Sequence, residues 1–295
     1  MRPGFISVAV LLAVVACTPS GSPSPGAALH VVATTTVFAD LVGEVGGDRV
    51  SVRSLVPAGG EPHTFDPRPS DVVAVADADL LVSNGLGLDD WVVDLVVEAG
   101  GDAPVLRLGE DLPGAEYIHD EEGGLNPHLW LDVTYTIGYV ERIADALAEV
   151  DPDGAEGYAQ RAADFGQELD HLDAYARDTL GAIPADRRRV ASSHEAFPYF
   201  VRAYGLEVVG VVISAPGQDP SAGEVTALID TIRDSGARAI LSEIQFPSDL
   251  VDQIAAETGV AVVADLYSDS LGDPPGDSFV GMIRWDVERI AEALR

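Results

Sequence analysis

The sequence predicts an α/β protein of two similar lobes, with parallel sheets flanked by helices and one long rigid backbone helix joining the lobes. Three observations support this fold class. Short apolar runs alternate with amphipathic stretches from residue 29 onward, a single long helical pattern interrupts this alternation after residue 150, and the alternation then restarts. Strands that alternate with helices through compact loops are typical of a parallel sheet covered on both faces.

The first lobe, residues 29–150, contains four apolar runs that are predicted to form strands. These strands are Leu29–Ala33, Val50–Val56, Leu80–Ser83 and Val105–Leu108. Amphipathic stretches between and after them predict four helices at Val37–Val45, Ser70–Ala76, Trp91–Ala99 and residues 133–149. The glycine pairs after the first and third helices end them, and Ser70 is expected to cap the second.

Residues 151–181 are predicted to form the connecting helix, with Asp151 as its N-cap and Pro152 at its first position. At about 1.5 Å per residue, this helix would be roughly 40 Å long and would reach along both lobes. In the second lobe, residues 182–295, the predicted strands are Arg189–Ala191, Val208–Ile213, Ala239–Leu241 and Val260–Ala264. The helices predicted there are Ala196–Tyr204, Ser221–Ser235, Ser248–Thr258 and Asp277–Leu294.

The composition excludes several classes of function. The chain carries 49 acidic residues against 17 basic ones, all of them arginine, for a formal charge of −32. A surface this acidic repels phosphate backbones, so we expect no nucleic-acid partner. The single cysteine rules out an internal disulfide and any zinc site built from several thiolates. We expect a monomer.

The N-terminus is predicted to be a lipoprotein signal peptide, residues 1–16. The apolar run Phe5–Val15 is too short to span a bilayer as a helix but suits a signal peptide. Val14-Val15-Ala16-Cys17 resembles a lipobox, in which the cysteine is lipidated, and residues 17–28 form a flexible Pro/Ser/Gly tether. The alternative is an ordinary signal peptide with a chance cysteine. Either cleavage places the mature protein outside the cytoplasm, and lipidation would hold it on the extracytoplasmic face of the cell membrane.

Three of the six histidines follow predicted strands at the edge where open α/β sheets bind ligands. These are His63, His128 and His194, and Asp269 occupies the same kind of position after the last strand. Three imidazoles and one carboxylate can fill the four positions that zinc prefers. A histidine near a turn is often structural or solvated, so spacing alone leaves both interpretations open.

At these residues the sequence resembles the zinc/manganese solute-binding proteins of ABC importers, the ZnuA/TroA-like family (cluster A-I). The resemblance rests on four segments in the family's order, within about residues 30 to 295. They are Glu61-Pro-His-Thr-Phe-Asp-Pro67, Asn126-Pro-His-Leu-Trp-Leu-Asp132, Ser193-His-Glu-Ala-Phe-Pro-Tyr-Phe200 and Tyr267-Ser-Asp-Ser270. A further stretch, Leu241-Ser-Glu-Ile-Gln-Phe246, resembles a strand end of the family.

The resemblance implies metal ligands at His63, His128, His194 and Asp269. It also implies extracytoplasmic capture of a divalent metal, delivery to a membrane permease and no enzymatic activity. Histidine at position 194 favours Zn²⁺, because manganese-binding relatives commonly carry glutamate there; Mn²⁺ is the alternative. Glu61 and Glu243 are expected either to orient ligand imidazoles or to be surface carboxylates.

Two other functions and one loop stay open. A zinc hydrolase would need an open coordination position and a general base, for which Glu195 is the available candidate. An adhesin could use the metal site only as a structural staple. The loop Ala115–Gly124 is short and acidic, with one histidine, His119; it is either a solvated loop or a weak recruiter of cations.

Overall fold

The computed structural model describes residues 28–120, 123–213 and 216–295. The predicted signal peptide, the lipidation residue Cys17 and most of the tether lie outside these residues, as do Glu121 and Glu122 of the acidic loop. Within the described ranges, no helix is both long enough and apolar enough to cross a membrane.

The first lobe is a four-stranded parallel sheet in the order β2-β1-β3-β4. Its strands are β1 Leu29–Ala33, β2 Val50–Ser54, β3 Leu80–Ser83 and β4 Val105–Arg107. Its helices are α1 Thr36–Gly46, α2 Pro69–Ala76, α3 Trp91–Ala99 and α4 Val133–Val150. The strand order reverses direction between β1 and β3, and this is where open sheets form a ligand crevice.

The long helix α5 covers Ala155–Gly181, 27 residues, and is about 40 Å long. Seven of its residues are buried at spacings of three and four, which puts them on one face of the helix. They are Tyr158, Ala162, Phe165, Leu169, Leu172, Ala176 and Leu180. This face packs against α4 and α1 of the first lobe, and the same helix contacts two helices of the second lobe.

The second lobe repeats the first in strand order, as β6-β5-β7-β8, again with every pair parallel. Its strands are β5 Arg189–His194, β6 Glu207–Ile213, β7 Ala239–Glu243 and β8 Ala261–Leu266. Its helices are α6 Pro198–Tyr204, α7 Ala222–Ser235, α8 Asp249–Thr258 and α9 Phe279–Leu294, of which α6 and α9 pack on α5. The predicted fold class of two parallel-sheet lobes joined by one long helix is confirmed.

Two predicted helix starts differ in the structure. Asp151 ends α4 and is the N-cap residue of a 3-10 turn, Pro152–Gly154, with Pro152 at its first position as predicted, but its side chain makes no capping hydrogen bond and α5 begins only at Ala155. The carboxylate of Asp151 is instead held by Arg49, through two hydrogen bonds of 2.8 Å. Ser70 does not cap α2 either, because that helix already begins at Pro69.

One hydrophobic core runs through both lobes. It includes the apolar faces of α1 and α4 in the first lobe, the buried stripe of α5 and the inner face of α9 in the second. Two smaller clusters lie elsewhere, one under α2 and α3 and the other under α7 and α8. Because interiors this closely packed resist deformation, the shared core restricts large hinge motions between the lobes.

Candidate metal centre

The four predicted ligand residues lie at the carboxyl ends of the two sheets, where the lobes face each other. His63 lies in the loop between β2 and α2, and His128 lies just before the 3-10 turn that precedes α4. His194 is the last residue of β5, so its strand is longer than predicted, and Asp269 follows β8 by three residues. Each lobe contributes two of the four side chains.

The structure brings these four side chains together. The Nε2 atom of His128 lies 3.3 Å from Nε2 of His63 and 3.2 Å from Oδ1 of Asp269. The Oδ2 atom of Asp269 lies 3.8 Å from Nε2 of His63 and 3.9 Å from Nε2 of His194. One ligand atom from each residue can be chosen so that all four lie within 4.8 Å of one another.

These distances suit a small divalent ion. Four ligand atoms at zinc's usual 2.0–2.1 Å around a tetrahedron are separated from each other by about 3.3 Å. The four distances given above, 3.2–3.9 Å, include that value, and no two of the four ligand atoms are more than 4.8 Å apart. In addition, the Nε2 atom of His194 is buried and has no hydrogen-bond partner among residues 28–120, 123–213 and 216–295. Buried polar atoms are rarely left without a partner, so this nitrogen is available to a ligand.

The cluster is buried, with one accessible side. His128, His194 and Asp269 are each at most 2% exposed, whereas the side chain of His63 is 16% exposed. His63 is therefore the most accessible of the four side chains. Because the imidazoles and the carboxylate are buried in a medium of low dielectric constant, the charge of Asp269 would attract a cation strongly.

Glu243, at the end of β7, orients the His194 ring. Its Oε1 lies 2.9 Å from His194 Nδ1 and accepts that N–H, because a carboxylate oxygen only accepts. Ser193 and Ser268 donate hydroxyl hydrogen bonds to the same carboxylate. His194 Nε2 is consequently left to face the cluster, in the arrangement in which a carboxylate, a histidine and a metal follow one another.

Glu61 has a different contact from the one expected. Its Oε1 accepts the backbone N–H of His63 at 2.7 Å, a contact that fixes the loop rather than the imidazole ring. Burial raises the pKa of Glu61 to about 7, with the nearby charge of Asp269 adding to the effect. Its Oε2 is buried and has no hydrogen-bond partner within the described part of the chain.

The electrostatic environment leaves His63 and His128 ready to bind a cation, whereas His194 would first have to lose a proton. Burial lowers the pKa of His63 to about 3 and lowers that of His128, so both rings are neutral at pH 7, the form that binds metals. Burial alone would also lower the pKa of His194, but the charge of Glu243 and its hydrogen bond raise it to about 9. The surrounding imidazoles hold the pKa of Asp269 below its usual range despite its burial, so it is ionised.

The other three histidines lie outside the cluster. His30 is exposed on β1, and His171 is exposed on α5. His119 is exposed in the acidic loop, where its Nδ1 lies 3.0 Å from the carbonyl oxygen of Gly124.

Sequence reasoning missed two polar residues that contact the cluster. Gln245 follows β7 by two residues, and its Nε2 donates to Ser268 Oγ at 2.6 Å and lies 3.3 Å from Asp269 Oδ2. Asn126 lies two residues before His128, and its Oδ1 is 3.1 Å from His128 Nδ1. Both residues lie within segments that carry the family resemblance, but their place in the sequence does not predict which way an amide side chain points.

Comparison with known proteins assigns the class of the chain. Residues 31–293 match the family model described as ZnuA, zinc-uptake complex component A, periplasmic. The chain belongs to this family, and it is therefore a substrate-binding component of a metal ABC transporter rather than an enzyme. The predicted family and the predicted absence of enzymatic activity are confirmed.

Individual relatives carry the names of different metals. The manganese-binding lipoprotein MntA of Halalkalibacterium halodurans is 31% identical over 294 residues, which cover 98% of this chain and 97% of the relative. The iron ABC transporter substrate-binding lipoprotein MtsA of Streptococcus pyogenes is 29% identical over 304 residues, covering 98% and 96%. The periplasmic zinc-binding protein TroA of Treponema pallidum is 30% identical, with a TM-score of 0.84 over 91% of this chain and 99% of that structure.

Proposed function

We propose that this protein captures Zn²⁺ outside the cytoplasmic membrane and delivers it to the permease of an ABC importer. The ligands would be His63, His128, His194 and Asp269, in a crevice between lobes 29–150 and 182–295 joined by the helical segment 151–181. The observation that carries the proposal is the convergence of three imidazole nitrogens and one carboxylate, from both lobes, at spacings close to those of a tetrahedral zinc site.

The choice of zinc depends on the ligand atoms, because relatives of similar identity are named for manganese, iron and zinc. Three imidazoles and one carboxylate form a nitrogen-rich site, and nitrogen ligands suit zinc better than manganese. The oxygen atoms of a carboxylate suit manganese, so a glutamate in place of His194 would shift the site toward that ion.

Manganese is the second candidate, and one observation favours it. The two oxygens of Asp269 both face the cluster, Oδ1 toward His128 and Oδ2 toward His63 and His194. A carboxylate that binds through both oxygens raises the coordination number to five, and manganese accepts such oxygen-rich environments.

The ligand set is tested by titration of the mature, tag-free protein with Zn²⁺ against a competing chelator. His63→Ala and His194→Ala should each weaken zinc binding strongly, because each removes one of four ligands. The matched control is His119→Ala, which removes an exposed imidazole outside the cluster and should leave zinc affinity unchanged. If His63→Ala binds zinc as tightly as the unmodified protein, the assigned ligands are wrong.

Most nitrogen and oxygen sites bind Zn²⁺ more tightly than Mn²⁺, so a higher affinity for zinc does not by itself show which metal the protein transports. The two metals must be distinguished by other measurements. His194→Glu should lower the ratio of zinc affinity to manganese affinity. In cells, a strain lacking the protein should regain growth under zinc chelation when the gene is returned. Rescue under manganese chelation alone would instead support the manganese function.

We also propose that Cys17 carries the lipid anchor and that residues 17–28 tether the domain to the extracytoplasmic face of the membrane. The alignments with two relatives that are named lipoproteins cover 97–98% of this chain, so they include most of the residues before residue 28. Cys17→Ser should release the protein from the membrane fraction without changing its zinc affinity. Retention of Cys17→Ser in washed membranes would contradict a lipid anchor.

A further inference from the structure

The side chain of Asn126 contacts a ligand segment of each lobe. It is 1% exposed and lies in the first lobe, two residues before His128. Its Oδ1 lies 3.1 Å from both the backbone N–H and the ring Nδ1 of His128. Its Nδ2 donates a 2.8 Å hydrogen bond to the backbone carbonyl of Glu195, the residue that directly follows His194 in the second lobe.

The two ends of this amide have distinct chemical roles. Because Oδ1 only accepts, it pairs with the tautomer of His128 that carries its proton on Nδ1, and in that neutral ring Nε2 is free to bind an ion. That Nε2 points into the cluster, 3.2 Å from Oδ1 of Asp269. The opposite end of the amide only donates, and it fixes the backbone next to His194.

The backbone of Asn126 is also held from the second lobe. The hydroxyl of Tyr199, on α6, donates to the Asn126 carbonyl at 3.0 Å. The same hydroxyl accepts the backbone N–H of Ile118 at 3.0 Å. The side chain of Asn126 is thus fixed at both ends and its backbone at a third point, so its geometry does not depend on an ion being present.

We infer that Asn126 is a positioning residue that aligns His128 of one lobe with His194 of the other, so that the metal site is assembled before the ion arrives. This inference rests on the proposed ligand set. Residues that orient metal ligands in this way typically change metal affinity about 10- to 100-fold when they are mutated. The link across the lobes adds a second consequence: it resists the separation of His128 from His194 that would release the ion.

Two substitutions separate these effects. Asn126→Asp is nearly isosteric and keeps an acceptor for His128 Nδ1, but it replaces the amide donor with an oxygen that faces the Glu195 carbonyl. It should keep the absorption spectrum of the Co²⁺-loaded protein and accelerate the dissociation of Zn²⁺ into excess chelator. Asn126→Ala removes both contacts, so it should also alter the Co²⁺ spectrum and lower zinc affinity by about 10- to 100-fold.

The control is Arg202→Ala, which breaks a different set of contacts between the lobes. Arg202 on α6 donates to the Glu116 carbonyl and to the Tyr135 hydroxyl, each at 2.9 Å. Its guanidinium also lies over the Tyr199 ring, 5.1 Å from the centroid, but these two hydrogen bonds involve neither Asn126 nor a ligand side chain. Its loss should leave zinc dissociation and the Co²⁺ spectrum unchanged. Acceleration equal to that of Asn126→Asp would overturn the inference, because any weakened contact between the lobes would then suffice.

The remaining outcomes also decide the question. If Asn126→Asp and Asn126→Ala both keep the zinc dissociation rate and the Co²⁺ spectrum while His128→Ala loses binding, Asn126 does not position the site and the proposed ligands stand. If the Asn126 variants lower the unfolding temperature equally with and without zinc, at unchanged dissociation rate, Asn126 is only structural. If His128→Ala itself binds zinc normally, the proposed ligand set fails first. Should Asn126→Ala not fold, the isosteric Asn126→Asp carries the test.

Discussion

Oε1 of Glu243 lies 2.9 Å from Nδ1 of His194, and both side chains are buried at the ends of neighbouring parallel strands. These strands, β7 and β5, are the pair at which the order of the second sheet reverses. The topology therefore places the carboxylate of Glu243 beside the imidazole of His194 without requiring a bound metal. The orientation of His194 is a property of the sheet, while His63 depends on a loop.

Glu243→Gln should weaken zinc binding by about 10- to 100-fold. The amide keeps an acceptor for His194 Nδ1, but it removes the negative charge that makes the imidazole a stronger ligand. Competitive chelator titration measures the change. Glu207→Gln is a control with the same change of charge, since Glu207 is exposed and pairs with Arg189 at 3.0 Å, away from the cluster. Equal affinity in Glu243→Gln and the unmodified protein would refute a role for this carboxylate.

Trp130→Phe should destabilise the metal-free protein by about 2–4 kcal/mol. The Trp130 Nε1 donates a 2.8 Å hydrogen bond across the lobes to the Ser268 carbonyl, and its ring packs edge-on against Phe38. The smaller ring leaves that carbonyl unpaired and opens a cavity in the shared core. Urea unfolding of the metal-free protein measures the loss.

The control for this substitution is Trp285→Phe. Trp285 Nε1 also donates at 2.8 Å to a backbone carbonyl, that of Asp265, but within one lobe and at a partly exposed position. The expected cost is below about 1 kcal/mol, because water can replace the lost partner. If the two variants lose similar amounts of unfolding free energy, the hydrogen bond between the lobes does not stabilise the protein more than one within a lobe.

The sequence predicted the strands and helices because each lobe repeats a strong local pattern, and it predicted that three histidines lie at the sheet edge because they follow strands. It failed where distant residues decide a local conformation. Asp151 precedes a proline, as a helix N-cap often does, yet Arg49 binds its carboxylate from 102 positions away. The partners of Asn126 and Trp130 in the opposite lobe likewise depend on how the lobes dock, which no local pattern encodes.

Asp40→Asn should change how stability depends on pH. Asp40 on α1 accepts the Phe279 N–H of α9 at 2.8 Å, and burial raises its pKa to about 6, aided by the charges of Glu44 and Asp277. A carboxyl group whose pKa is higher in the folded state than in the unfolded chain stabilises the fold at low pH. This contribution is fully present when the pH is below the pKa of the unfolded chain, near 4, and it is lost as the pH rises through about 6.

The unmodified protein should therefore lose about 1 kcal/mol more of its unfolding free energy than Asp40→Asn between pH 5 and pH 8. Asparagine keeps the acceptor for Phe279 and cannot ionise. Urea unfolding of the metal-free proteins at each pH gives the difference. Asp170→Asn, on the exposed face of α5, should follow the unmodified protein. If Asp40→Asn and the unmodified protein show parallel pH profiles, the buried carboxyl does not ionise as expected.

Thr36→Val should destabilise the protein by about 1–3 kcal/mol, because it leaves the buried backbone N–H of Leu271 without an acceptor. The hydroxyl of Thr36, at the start of α1, accepts the Leu271 N–H of the second lobe at 2.7 Å. Leu271 is buried, two residues after Asp269, so water cannot easily replace the lost acceptor.

Thr226→Val is the matched control. The hydroxyl of Thr226 donates to the Ala222 carbonyl at an exposed position on α7, and its loss should cost less than about 0.5 kcal/mol. Urea midpoints that coincide for Thr36→Val and Thr226→Val would mean that this contact between the lobes does not stabilise the fold, and that the segment carrying Asp269 is held in place by other contacts.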